Sequence, residues 1–104
     1  MPVRIEKWDP ARGPLGEAAM RQRLEAEGYA VSRYLYPPGT YFPEHTHAMD
    51  KRDAVLHGRL KITAEGQEVV LGPGDMMEIP AGIRHTAEVV GTEAVVSLDA
   101  TRLR

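Results

Sequence analysis

Apolar and polar residues alternate in short runs along most of this chain, and Gly or Pro interrupts nearly every run. Val3 and Ile5, with Arg4 between them, predict a short edge strand over 3–8. Pro10, Gly13, Pro14 and Gly16 make 9–16 a loop. Glu17 to Glu27 is the one stretch that predicts a helix. Its residues are mostly good helix formers, Met20 and Leu24 share a face at i, i+4, and Gly28 is placed to end it. That Met20/Leu24 stripe is expected to pack on the outside of a sheet.

From Tyr29 onward the period is that of β structure. Strands are predicted over 29–36, 41–47, 53–57, 59–64, 68–71, 76–79, 85–90 and 94–98. Between them stand the turn signals Pro37-Pro38-Gly39, Gly58, Glu65-Gly66, Gly72-Pro73-Gly74-Asp75, Pro80-Ala81-Gly82 and Gly91-Thr92-Glu93. Many short strands at even spacing predict an all-β sandwich or small barrel with one short N-terminal helix. With 104 residues the chain is expected to form a single domain. Residues 1–28 would be an extension carrying the helix and 29–100 the barrel. Tyr34, Tyr36, Leu60, Ile62, Met76, Met77, Ile79, Val95 and Leu98 are candidate core or interface residues.

Composition narrows the chemistry. The formal net charge is -2, with signs mixed along the chain, so neither a nucleic acid nor a membrane is an expected partner. There are no cysteines, which excludes disulfides, a thiolate nucleophile and any thiolate metal site. Any metal must be held by His and carboxylate. The first residues lack the apolar core of a signal peptide, and no run approaches the roughly 20 apolar residues of a membrane span, so the cytoplasm is the expected location.

The candidate chemistry centres on His45-Thr46-His47. In an extended strand side chains at i and i+2 point to one face, so both imidazoles can reach one ion. His85 follows a second Gly/Pro-rich stretch, and the fold is expected to bring it opposite the pair. No phosphate-binding glycine loop and no serine triad context is present.

Two motifs carry a resemblance to the cupin family of small jelly-roll barrels. The first is Gly39, five residues, His45-Thr46-His47, three residues, Lys51, six residues, Gly58. The second is Gly74, five residues, Pro80-Ala81-Gly82, two residues, His85, three residues, Val89. Glycines, proline and all three histidines match the family in identity and spacing. Two positions depart: Lys51 stands where the family has a metal-binding Glu, and Val89 where it has Asn.

The resemblance implies a metal site inside the barrel, with His45, His47 and His85 as ligands of a divalent ion such as Zn, Fe, Mn or Ni. Some cupin dioxygenases are similar in using three histidines without the glutamate. Lys51 is then expected to lose its proton beside the metal, or to turn away and pair with Asp50 or Asp53. It is also a candidate catalytic residue, as electrostatic partner or proton donor. Tyr41 shares the parity of His45 and is expected at the pocket mouth. Glu44 and Arg84 should point outward, and His57 should sit at a strand end. Glu78 replaces the missing acid only if its strand faces inward.

Two function classes follow. One is a metal-dependent enzyme, a dioxygenase, isomerase or lyase, acting on a small organic molecule. The other is a non-catalytic module that binds a small ligand or metal through a degenerate site. A homodimer is expected, because a chain of this size leaves much surface exposed and has free edge strands.

Overall fold

A computed structural model describes residues 3–103; Met1, Pro2 and Arg104, at the ends of the expected domain, lie outside the described residues. The elements in order are β1 (Arg4–Lys7), α1 (Glu17–Ala26), β2 (Tyr29–Tyr36), β3 (Tyr41–His45), β4 (Lys51–His57), β5 (Arg59–Ala64), β6 (Gln67–Leu71), β7 (Asp75–Ile79), β8 (His85–Val90) and β9 (Val95–Arg102). A single 3-10 turn at Pro10–Arg12 lies in the expected N-terminal loop. The strands form two antiparallel sheets, β1-β7-β4-β9-β2 and β3-β8-β5-β6, packed as a jelly roll. This is the all-β architecture with one short helix that the patterning predicts.

The core divides into two layers because strands alternate their side chains. Val55, Met77, Ile79 and Val95 point from the larger sheet toward Leu60, Ile62, Leu71 and Val89 of the smaller one. On the other face of the larger sheet, Ala54, Met76, Leu98 and Ala100 meet Met20 and Leu24 of α1. Both helix residues are fully buried, as the i, i+4 stripe predicts. Burying each contributes roughly 1.5–3 kcal/mol. Gly28, with φ +92°, follows the helix in the left-handed conformation that glycine adopts without strain.

Buried guanidinium groups tie the helix to the sheet. Arg23 contacts Glu6 of β1 at 2.6 Å and Glu27 at 3.2 Å. Arg52 of β4 pairs with Glu27, and its guanidinium lies 4.7 Å from the centre of the Tyr29 ring. Such pairs offset their own desolvation only when fully satisfied, and here each arginine has two carboxylates in reach.

Three strand limits differ from expectation by two residues or more, each for a pairing reason. The last strand continues beyond Leu98 to Arg102, because β2 pairs with it from Tyr36↔Val95 to Tyr29↔Arg102. β4 begins at Lys51 rather than 53, held by Ile79 on one side and Thr101 on the other. β3 stops at His45, so His47 lies in the following loop. Sequence preference for strand is weak where a neighbour supplies the hydrogen bonds. Among the candidate core residues, Tyr34 is exposed and Tyr36 half-buried.

Gly58 and Gly66 both hold φ values that disfavour a side chain, +81° and +75°. A Cβ on Gly66 would meet nothing within 4 Å, whereas one on Gly58 would lie 2.4 Å from the Ala94 carbonyl oxygen. Gly66→Ala should therefore cost about 1–2 kcal/mol, the left-handed penalty alone. Gly58→Ala should cost clearly more, because backbone must also move. Urea unfolding of both variants measures the difference, and equal losses would refute the clash.

Candidate metal centre

The three motif histidines converge. His45 on β3 pairs directly with His85 on β8, and their ring centres are 4.2 Å apart. His47 completes the cluster, with ring centres 4.8 Å from His45 and 5.0 Å from His85. A ligating atom from each lies within 4.8 Å of the others, a group that one metal ion could bridge.

A bulge sets this geometry. Phe42 pairs with Ala87 and His45 with His85, so three steps on β3 match two on β8. Phe42 and His45 consequently both face the interior. Tyr41, expected at the mouth by simple alternation, is instead exposed, and Phe42 takes the interior position. His47 is placed by the second motif. Its carbonyl accepts from Gly82 N at 2.9 Å, and Asp50 Oδ1 accepts from Ala81 N at 2.8 Å. The Pro80-Ala81-Gly82 turn thus staples the loop that carries His47.

Backbone carbonyls fix the tautomers. His45 Nδ1 lies 2.7 Å from Pro43 O, and His85 Nδ1 lies 3.0 Å from Ile83 O. A carbonyl only accepts, so Nδ1 carries a proton in both, and Nε2 is the nitrogen left to ligate a metal. That is the form in which imidazole ligates a metal, held by the outer hydrogen bond that ligating histidines usually make. The residues present fit a divalent ion.

Residues 32–101 match the cupin domain family. The chain belongs to the cupins. No curated protein matches it in sequence. Among solved structures it is similar to acireductone dioxygenase from Bacillus anthracis with a cadmium ion in its active centre. That match has 19% identity and a TM-score of 0.76, covering 97% of this chain and 78% of that one. It is also similar to KdgF from a Halomonas species, at 18% identity and a TM-score of 0.64, covering 98% and 78%. A conserved Streptococcus pyogenes protein of unknown function matches at 22% identity and a TM-score of 0.65. There the match covers 74% of this chain and 66% of the other, just under two thirds of its length. At these identities the likeness carries the fold.

In this cupin the histidines line a cavity of about 160 Å³ between the sheets. Phe42, Leu60 and Ala87 are its apolar wall. Facing the histidines from the larger sheet are Asp53, Asp99, Ser97 and Tyr36. A larger cleft of about 290 Å³ lies elsewhere, lined by Arg4, Glu6, Arg52 and Glu78. Its charges are consumed in pairs such as Arg4–Glu78 and Arg52–Glu78. The histidine cavity is where the unspent chemistry is.

Lys51 does not line the cavity. Its ammonium lies 2.5 Å from Asp99 Oδ1 and donates to Thr101 Oγ1 at 3.1 Å. The expected partners were Asp50 and Asp53. Asp50 is engaged with Ala81, while Asp53 shares the inward face of Lys51 as strand parity predicts. Asp99 had no motif to mark it, and it lies one residue beyond the predicted end of the last strand. Glu78 faces the outer surface and pairs with Arg4 and Arg52, so it does not replace the missing acid. Glu44 and Arg84 are exposed, and His57 sits at its strand end, 3.2 Å from Ala94 O.

Burial is the main influence on the titrating groups here. It lowers the pKa of His47, aided by the Lys51 charge and the other histidines. It also lowers that of His85, against the hydrogen bond to Ile83. Both are neutral at pH 7. Burial, then the neighbouring Asp99, pushes Asp53 up to about 7, with Lys51 opposing. Asp53 is half-buried and borders the cavity. Tyr36 is also raised, by burial and then by Asp99.

The sign of the Asp53 effect is testable. The folded state holds this proton more tightly than the unfolded chain, whose carboxyl titrates near 3.8. Stability is therefore lost as pH rises from about 4 to about 7, and the loss is complete above that. Asp53→Asn removes this term. Its stability relative to wild type should climb between pH 4 and 7 and level off above, as read from urea midpoints. A pH-independent difference would contradict the buried proton.

Proposed function

We propose that this cupin is a small metal-dependent enzyme acting on a small organic molecule, with His45, His47 and His85 holding one divalent ion. The observation that carries the reading is the tautomer lock on His45 and His85, which leaves each Nε2 free at the cavity. Zinc, iron, manganese and nickel all accept imidazole nitrogen, so the donor set does not choose among them. Bound there, the ion would polarise a substrate oxygen or, if redox-active, activate O2 in a dioxygenase reaction. The cadmium-bearing active centre of the acireductone dioxygenase supports such a site on this fold.

The chain's own residues shape what can bind. Three neutral imidazoles leave the charge of the ion uncompensated, which favours an oxygen-bearing, electron-rich ligand. The cavity holds about five waters by their liquid volume, so the ligand is small. Phe42 and Leu60 keep bulk water from one side. Lys51 acts through Asp99: its ammonium contacts that side chain rather than the cavity. The reading also takes the chain as one domain, with 1–28 packed on the barrel of 29–100, and as a homodimer. β2 is the edge of the five-stranded sheet and exposes Tyr34 and Leu35, which gives the pairing a physical motive.

Zinc titration of untagged protein tests the reading. One equivalent should bind, and His85→Ala should weaken binding by more than about 100-fold, beyond the cost of losing an outer-shell partner. Protein that stays metal-free after dialysis against zinc, iron, manganese and nickel would leave the non-catalytic pocket as the correct class. Lys51→Met should bind zinc more tightly, since it removes a positive charge felt at His47 and His85. Unchanged affinity would show that this charge does not reach the ion.

A further inference from the structure

The three imidazoles are not held in the same way. His45 and His85 sit on paired strands, and each ring is oriented by its own hydrogen bond, to Pro43 O and to Ile83 O. His47 stands in the loop between β3 and β4, and its ring has no such partner among the described residues. A loop side chain without a ring contact keeps its rotamer freedom, so its place is set through the backbone that carries it.

Two contacts hold that backbone to the second motif. Gly82 N donates to the His47 carbonyl at 2.9 Å, and Ala81 N donates to Asp50 Oδ1 at 2.8 Å. The first is main chain on both sides. The second depends on one side chain, and Asp50 is anchored to give it. Its own carbonyl accepts from Arg102 N at 2.9 Å, at the end of β9. The next residue, Lys51, opens β4 and is paired on both sides, with Ile79 and Thr101. The Asp50 backbone is therefore fixed on the larger sheet, and its side chain reaches from there to the Pro80-Ala81-Gly82 turn. That turn leads directly to Ile83, whose carbonyl orients His85. Neither motif includes Asp50, so their spacing does not mark it.

We propose that Asp50 is the positioning residue of the third ligand. Its side-chain oxygen clamps the turn to the larger sheet, and the turn holds His47 where it can share an ion with His45 and His85. The proposal rests on the metal reading above. Asp50 is itself no ligand, since the possible ligand atoms gathered here come from the three histidines; it acts on His47 through Ala81 and Gly82.

Zinc affinity of the full chain gives the first test. Asp50→Ala should weaken zinc binding about 10–100-fold, as the loss of an outer-shell partner does. Asp50→Asn keeps an oxygen acceptor in the same place and should bind close to wild type. Equal losses in the two variants would mean that charge, not the hydrogen bond, matters, and would overturn the positioning role. In a His47→Ala background, Asp50→Ala should weaken zinc binding no further, because the ligand it places is gone. An undiminished loss there also overturns the proposal, since a merely structural role lowers affinity in both backgrounds.

Amide hydrogen exchange in the metal-free full chain gives the second test. Ala81 and Gly82 should exchange up to about ten-fold faster in Asp50→Ala than in Asp50→Asn, the equivalent of one hydrogen bond. Gly82 is the decisive amide, because its acceptor is the His47 carbonyl rather than Asp50. Faster exchange at Ala81 alone would show that His47 keeps its place without Asp50, and the proposal would fall. Zinc that fails to bind wild type sinks the metal reading instead, while Gly82 exchange, measured without metal, still decides whether Asp50 places His47.

Discussion

The cross-strand contact of His45 with His85 is the constraint on which the rest of the site depends. It exists because β3 carries a bulge that lets Phe42 and His45 face inward together. Without that extra residue, strict alternation would turn one of them out of the cavity. The third imidazole needs a different device, since His47 lies past the strand end. Hydrogen bonds from the Pro80-Ala81-Gly82 turn to the His47 and Asp50 region supply it. The two cupin motifs are thus parts of one local structure, though Asp50 and Ala81 stand 31 positions apart in the chain.

Much of this was legible in the sequence. Glycine and proline punctuation gave strand number and order, the i, i+4 pair Met20 and Leu24 gave the buried helix face, and motif spacing named the three histidines. What remained hidden had physical causes. Tyr41 and Phe42 exchange expected faces because a bulge leaves no mark in a short apolar run. Asp99 was out of view because local patterning ends the last strand at Leu98; β2, pairing along all eight residues, and β4 carry it further. Long-range pairing decides such ends, and local preference does not encode it.

Lys51 shows the same limit at the level of charge. By motif it stands where a metal-binding acid belongs, and by sequence its neighbours are Asp50 and Asp53. The register places it across from Thr101, within reach of Asp99. An acid is therefore present near the expected place, but on another strand and neutralised by the residue that replaced the usual one. The interior keeps both signs of charge on one wall and presents imidazoles on the opposite one.

The inward faces of β4 and β9 change character along their length. Val55 and Val95 sit in the apolar core, while Asp53, Lys51, Asp99 and Thr101 belong to the polar end. Cohesion and chemistry therefore occupy opposite ends of the same two strands. Replacing a residue at the polar end leaves the hydrophobic contacts that hold the sheets together intact. A scaffold divided in this way can exchange one ligand preference for another by a few substitutions, without passing through an unfolded ancestor.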